Sequence, residues 1–252
     1  MKLVGWLIFC AFWLGVVLVL MHGPEWSAWV IAGLIIAAVA WFSGRRFHSK
    51  SLTHAAGLLA GSYFTADLLG YTPETVVGDI ELRPGQSTLI AIPVFSKEIE
   101  AVAGQFGTGP ERAAWLHRDL DGYRAFVLSH AREAGLDTMP WVRAKVVQAI
   151  AGPAAWGKLS NTPLARVRSV CRDDFEAAVA ACRVAGLTAE EGERLIFDYA
   201  ANLLQEKFSQ PPIWNGVSAL AAWLPIYGRA PGTRCWAIFS DEVERAGHAV
   251  RA

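Results

Sequence analysis

The sequence predicts a membrane α-helical hairpin followed by a mainly α (α+β) cytoplasmic domain with a small β element. Three observations support this fold class. Residues 3–43 contain only two ionisable side chains, apolar residues recur at helical spacing through most of the later chain, and residues 79–95 are rich in strand formers. The predicted domains are a two-helix transmembrane anchor (1–45), a juxtamembrane connector helix (46–75) and a mainly helical cytoplasmic domain (76–252).

Two uncharged runs form the predicted anchor. Leu3 to Met21 gives 19 residues, enough for a helix to cross a hydrocarbon core about 30 Å thick. His22 to Glu25 interrupts the helix, because it contains Gly and Pro, and Trp26 to Phe42 adds 17 uncharged residues. A cleaved signal peptide is the alternative for the first run, but Met21 to Gly23 lacks the small-x-small cleavage pattern.

The charges that flank the two runs predict their orientation. Lys2 precedes the first run, Arg45, Arg46 and Lys50 follow the second, and the turn between them has no Lys or Arg. Because positive charge accumulates on the cytoplasmic side, both termini are expected in the cytoplasm of a bacterial-type inner membrane. The same three charges are candidate contacts for anionic lipid or a partner protein.

A third span is the alternative that would reverse this topology. Leu52 to Tyr71 contains a single charge, Asp67, together with the polar residues His54, Ser62 and Thr65. A carboxylate near the centre of a lipid-facing helix costs a few kcal/mol. We therefore expect a connector helix that leaves the bilayer and packs on the domain or on the membrane surface.

The small β element is predicted from two short segments around a turn, Asp79 to Arg83 and Ser87 to Phe95. Cys235 to Phe239 resembles a late strand that could join this pair. Asp241 to His248 is expected to form a short closing helix.

Helical periods predict most of the remaining elements. Helices are predicted over 110–134, 141–150, 164–182 and the uncharged stretch 213–227. The second of these is expected to end near Gly152 and Pro153. A further helix begins after Thr188, which caps it, with Glu191 at the third position. The Thr188 and Glu191 pair is a capping-box pattern. The stretch 213–227 is too short to span a bilayer, so it is expected in the core or against the membrane.

His117, Asp119 and Asp121 form the most metal-like group in the sequence. His117 and Asp121 are four residues apart and can share a helix face, but a site needs a further ligand. A solvated helix face explains these residues better, so no metal site is predicted. His130, on the apolar face of the same helix, is interpreted as a hydrogen-bonded core residue.

Arg166, Arg168 and Arg172 form a basic cluster that could bind an acidic partner or anionic lipid headgroups. The simpler interpretation is a solvated face with ion pairs to the two aspartates that follow. Cys171 and Cys182 are eleven residues apart, so they are expected on one helix face as buried thiols. The four cysteines include no Cys-x-x-Cys pair, which is typical of reduced thiols rather than of a disulfide framework.

These observations predict a non-enzymatic subunit of a multiprotein membrane assembly, of the kind found in secretion or conjugation machines. The prediction rests on analogy of architecture. No catalytic residue, cofactor or bound metal is expected, and the equal counts of 23 basic and 23 acidic residues argue against a nucleic-acid partner. The expected partners are membrane lipids and other protein subunits. A membrane-bound enzyme acting at the lipid surface, and an immunity or regulatory protein that binds one specific partner, are the alternatives.

Overall fold

The computed structural model describes residues 51–76, 79–83, 86–90, 94–106, 118–225 and 228–249. The predicted anchor lies outside these residues, and so do Arg45, Arg46 and Lys50. Residues 50–252 form one compact unit. Within the described ranges, no helix is both long enough and apolar enough to cross a bilayer.

The unit is mainly helical, which confirms the predicted mainly α domain with a small β element. Residues 51–64 form helix α1. The later helices are α2 (Pro73–Val76), α3 (Lys97–Ala103), α4 (Leu120–Glu133), α5 (Met139–Ser160), α6 (Leu164–Val167), α7 (Arg172–Val184), α8 (Ala189–Arg194), α9 (Ala201–Ser209), α10 (Pro211–Trp223) and α11 (Gly232–Ala249). A π-helical turn, Leu195–Ala200, connects α8 to α9.

The sheet has three strands, β1 (Asp79–Arg83), β2 (Gln86–Ile90) and β3 (Gly228–Pro231), in the order β2-β1-β3. Both neighbours run antiparallel to β1. Asp79 connects the sheet to the start of α11, because its carboxylate accepts hydrogen bonds from the Gly232 backbone N–H and the Arg229 side chain. The predicted pair around the turn is present, and a late segment does join it. The second strand is shorter than the predicted Ser87 to Phe95, because it ends at Ile90, and Val94 and Phe95 lie in a bend.

That late segment is not the predicted one. Residues 235–239 lie within α11, so the prediction of a strand from Cys235 to Phe239 is wrong. The two end residues are four apart and both are buried, which is the pattern of one helix face. A short apolar run does not distinguish a strand from a buried helix turn. The predicted closing helix, 241–248, is the continuation of α11.

Helix α1 lies in the core of the unit. All nine residues from 55 to 63 are buried, as expected for a helix that is apolar on all sides. Gly57 and Gly61 face α5 at very short range: a Cβ atom added at Gly61 would lie 2.3 Å from the Ala151 Cβ, and one at Gly57 would lie 2.5 Å from the Ala155 Cβ. Residues 52–71 carry little charge, and most of them are buried against other helices of the unit.

Aromatic contacts join the end of α1 to the last helices of the chain. The Tyr63 ring lies 5.4 Å from the Phe239 ring, and the Phe64 ring lies 5.9 Å from the Phe208 ring, between centroids. Tyr63 also packs edge-on against Trp236. Helix α1 is therefore enclosed by elements from the middle and the end of the chain.

Two helix boundaries differ from the predicted ones. Helix α4 begins at Leu120, because Asp119 caps it by accepting a hydrogen bond from the Gly122 backbone N–H, so the predicted helix over 110–134 is interrupted at Asp119. Residues 107–117 of that prediction lie outside the described ranges. Helix α5 continues through Pro153 to Ser160 instead of ending near Gly152. An internal proline costs about 3 kcal/mol. Burial of α5 on both sides of Pro153, as at Ala151 and Ala155, offsets this cost.

The predicted single helix over 164–182 is in fact two helices. Helix α6 ends at Val167, and α7 begins after Cys171, whose backbone (φ −105°, ψ 47°) is not helical. The apolar spacing did not detect this break, because Val167 and Phe175 are both buried on their respective helices. The predicted capping box of Thr188 and Glu191 is confirmed.

Candidate functional site

The three arginines of the predicted basic cluster lie within residues 164–172, which we call the basic turn and which comprise α6, the connection to α7 and the first residue of α7. Arg166, Arg168 and Arg172 are all exposed. Val170 lies among them and is 65% exposed. Among the described residues, the only other large apolar side chain of comparable exposure is Leu159, at 43%.

Two of these arginines are held by neighbours. Arg168 lies 3.6 Å from Glu193 and 5.9 Å from the centroid of the Phe197 ring. Arg172 donates from its Nε to Glu176 at 2.6 Å. The expected ion pairs with the two following aspartates are therefore replaced by pairs with Glu193 and Glu176. These pairs are exposed, so each stabilises the fold by at most about 1 kcal/mol.

Arg166 differs from the other two arginines of the basic turn. It makes no ion pair with any residue that the structure describes. Its guanidinium also has no hydrogen-bond partner among the described residues, which leaves its donors to water or to a ligand there. Together with Val170, it gives the basic turn a charged and apolar surface, and no described acidic residue neutralises the Arg166 charge.

A second group of side chains includes Cys171, which lies within the basic turn. One ring nitrogen of His54, the Cys171 sulfur and a carboxylate oxygen of Asp174 all lie within 4.8 Å of one another. The His54 Nε2 is 2.9 Å from the Asp174 Oδ2, and their side chains are 18% and 22% exposed. This group, the His54 cluster, joins α1 to the start of α7.

The fold holds each member of the His54 cluster in place. Cys171 precedes the first residue of α7, and Asp174 lies in the first turn of that helix. Gly152 of α5 leaves space for the imidazole, because an added Cβ there would lie 2.7 Å from the His54 Nε2. Burial, with a smaller contribution from the Asp174 carboxylate, raises the pKa of the Cys171 thiol to about 12. Without a cation the sulfur is therefore protonated at neutral pH.

The sequence singled out His117, Asp119 and Asp121 instead, and the described residues account for the two aspartates. Asp119 caps α4, and the Asp121 carboxylate accepts a hydrogen bond from Arg124 at 3.2 Å. His117 lies outside the described residues. His130 is half-buried, and its Nδ1 lies 3.0 Å from the Phe126 carbonyl oxygen, in agreement with the interpretation as a hydrogen-bonded histidine of the apolar face.

Cys171 and Cys182 do not share one helix face as predicted, since Cys171 precedes α7. Cys182 is buried in the core, and burial raises the pKa of its thiol. The sequence did not predict the His54 cluster, because His54 and Asp174 are 120 residues apart. The position of the polar His54 near the start of a mainly apolar run was one local sign that this helix has a partner.

A groove of about 460 Å³ lies between the end of α5 and α9, lined by residues that include Lys158, Thr162 and Gln205. Lys158 is already engaged there. Its ammonium donates to the Phe208 carbonyl oxygen and lies 4.5 Å from the centroid of the Trp214 ring. The Lys158 ammonium is therefore already bound by the protein and is not available to a ligand in the groove.

Comparison of the chain with known protein families, with curated proteins and with solved structures finds no match.

Proposed function

We propose that this chain is a membrane-anchored subunit of a multiprotein assembly, and that it docks an acidic segment of a partner protein on the basic turn. The observation that carries the proposal is the exposure of Val170, at 65%, between Arg168 and Arg172. Protein interfaces are enriched in arginine and combine an apolar centre with a polar rim. Arg166, Arg168, Arg172 and Val170 provide both features within seven consecutive residues.

The setting of the basic turn also supports a docking function. The aromatic rings of Phe175 and Phe197 lie under the Arg168 guanidinium, each with its centroid 5.9 Å away. An arginine already held against aromatic rings loses less conformational entropy on binding than a free one. Arg166 supplies a charge that no described acidic residue neutralises, and an acidic partner is the complement to that charge.

The proposed location at the cytoplasmic face of an inner membrane rests on the sequence of the anchor and on its flanking charges. The burial of α1 supports it, because residues 55–63 contact protein on all sides and have no face left for lipid. The hairpin would then hold the domain close to the bilayer, where subunits of membrane assemblies meet.

The test is purification of the full chain from its native membrane in mild detergent, with quantification of the proteins that remain bound. We expect a stoichiometric partner with the wild type, and its loss when Arg166, Arg168 and Arg172 are all replaced by Glu. Val170→Asp alone should weaken the association about tenfold, as for a residue at the centre of an interface. The matched control replaces Arg83, Arg234 and Arg245 by Glu, three exposed arginines on β1 and α11.

Each result has a definite meaning. Equal loss in the control would indicate a general effect of charge, and unchanged association in the Arg166, Arg168 and Arg172 variant would contradict docking on the basic turn.

Binding of the purified chain to anionic vesicles through these arginines, with no protein partner, would replace the proposal by lipid contact. A single partner encoded beside this chain would favour the immunity or regulatory alternative. A bound substrate or turnover without partners would favour the membrane-bound enzyme.

A further inference from the structure

We propose that His54, Cys171 and Asp174 form a binding site for a divalent transition-metal ion, zinc by the chemistry of its ligands, that clamps α1 to the start of α7. The proposal goes beyond partner docking and does not depend on it. Its basis is the convergence of three different metal-binding side chains, with one nitrogen, one sulfur and one oxygen within 4.8 Å of one another.

The chemistry of the three groups selects the class of ion. Imidazole, thiolate and carboxylate together match zinc and its analogues, whereas magnesium and calcium prefer oxygen ligands alone. Zinc bonds of about 2.0 Å to nitrogen and oxygen and about 2.3 Å to sulfur place tetrahedral ligand atoms roughly 3.3 to 3.6 Å apart. The His54 and Asp174 atoms, at 2.9 Å, need to separate by only a few tenths of an ångström.

The position of the cluster suits entry of an ion. His54 and Asp174 are each about one-fifth exposed, at 18% and 22%, so solvent reaches the cluster from one side. Three protein ligands leave the fourth tetrahedral position for water or for another group. Gly152 of α5 lies against the imidazole, and its missing side chain gives the ring its space.

The same three residue types also occur in nucleophilic triads, but the geometry here differs. In a triad the histidine uses one ring nitrogen toward the nucleophile and the other toward the carboxylate. Here a single nitrogen of His54 lies within 4.8 Å of both the Cys171 sulfur and the Asp174 oxygen. A metal ion needs its ligand atoms to converge on one point, and these three atoms are close enough to do so.

The clamp would connect two distant parts of the chain. His54 lies near the start of α1, and Cys171 lies within the basic turn, between the exposed residues Val170 and Arg172. Ligation would fix the turn relative to the core helix more firmly than the single hydrogen bond between His54 and Asp174 does. The ion is thus expected to stabilise the fold and to order residues 168–171.

The test uses the full chain in detergent micelles, stripped of metal by a chelator and titrated with Co²⁺. A thiolate ligand gives a charge-transfer band in the near ultraviolet, and tetrahedral Co²⁺ gives strong visible bands. We expect both in the wild type, with one ion bound per chain, and displacement of the cobalt by Zn²⁺. At a hundredfold excess over Kd, Zn²⁺ should raise the unfolding midpoint by roughly 5 to 10 °C.

Matched variants identify the ligands. Cys171→Ser should abolish the charge-transfer band, and His54→Gln or Asp174→Asn should weaken cobalt binding at least tenfold. Cys182→Ala, which removes a buried thiol outside the cluster, should keep the full spectrum. The unfolding midpoint of every variant without metal shows whether it has folded, and the Zn²⁺-induced shift is compared among the folded ones.

A wild-type chain that folds but gives neither the band nor a midpoint shift would overturn the proposal. A charge-transfer band that survives in Cys171→Ser and disappears in Cys182→Ala would also overturn it, because the sulfur ligand would then be a different one. Failure of the partner association described above leaves these spectra unaffected, so the two proposals fail separately.

Discussion

The side-chain amide of Gln148 donates a hydrogen bond to the Thr65 hydroxyl over 3.1 Å, inside the apolar contact between α5 and the end of α1. The same hydroxyl donates to the Gly61 carbonyl oxygen at 2.9 Å, and both residues are buried. Lys145 in turn donates to the Gln148 side-chain oxygen at 3.4 Å. A short polar chain thus crosses a core that is otherwise apolar.

Removal of the Thr65 hydroxyl is expected to be costly because it leaves the Gln148 amide buried without this acceptor. Thr65→Val should lower the free energy of unfolding by about 1 to 3 kcal/mol. The double variant with Gln148→Leu should lose less than the sum of the two single losses, by about 1 kcal/mol. Chemical denaturation of the four proteins measures this coupling, and strictly additive losses would show that the two side chains do not interact.

The contact between Gly61 and Ala151 predicts a steric effect. Gly61→Ala places a methyl group 2.3 Å from the Ala151 Cβ, so α1 and α5 must move apart, at a cost of about 1 to 3 kcal/mol. Gly104→Ala is the matched control, because a Cβ there meets nothing within 4 Å and its φ of −62° suits any residue. Thermal unfolding compares the two variants, and equal midpoints would contradict the close approach of α1 and α5.

Burial, with a smaller contribution from the Arg124 guanidinium, lowers the pKa of Lys145 to about 7. The unfolded chain binds this proton up to pH values near 10.4. Between about pH 7 and pH 10 the unfolded state therefore holds more protons at this site, and the contribution of Lys145 to stability rises with pH by up to about 1.4 kcal/mol per unit. Below pH 7 both states are protonated and the contribution stays constant at its least favourable value.

Lys145→Met should consequently be more stable than the wild type at pH 7, and its advantage should shrink as the pH rises toward 9. The quantity to measure is the difference in the free energy of unfolding between the two proteins. The raised pKa values of Cys171 and Cys235 make stability fall as the pH rises, but they do so equally in both proteins and cancel in the difference. Urea unfolding at several pH values gives these free energies. An advantage of Lys145→Met that is independent of pH would exclude a depressed lysine pKa as the cause.

The predicted topology depends on the two spans of the anchor and on residues 52–71 staying outside the bilayer. A reporter fused after Ala252 should be active in its cytoplasmic form and inactive in its periplasmic form, because two spans return the chain to its starting side. Replacing Arg45, Arg46 and Lys50 by Glu should weaken this preference. Periplasmic activity of the wild-type fusion would contradict the predicted topology of two spans with both termini in the cytoplasm.

The sequence predicted the helices whose apolar residues follow one period, and it predicted the Thr188 cap, because both signals are local. It did not predict the role of α1. Burial on every side depends on partners such as Ala151 and Phe239, which are far along the chain. The four-residue spacing of Gly57 and Gly61 is the signal that could have indicated a close helix contact.

The candidate sites divide in the same way. The arginines of the basic turn lie within seven residues of one another, so the sequence alone reveals the cluster. The structure places all three at the surface. The break before Cys171 was missed because the buried residues on both sides of it keep helical spacing. The His54 cluster was missed because its members come together only through the packing of α1 against α7, and no local pattern encodes that contact.

The aromatic contacts of Tyr63 with Trp236 and Phe239 also constrain the order of events during synthesis. Helix α1 leaves the ribosome when most of the chain has not yet been made, and its last partners belong to the final 18-residue helix. Until that helix emerges, the apolar surface around Tyr63 stays open to water and to chaperones. A nascent chain that stalls before residue 232 therefore carries an unshielded hydrophobic helix, and a quality-control protease can recognise it by that exposure.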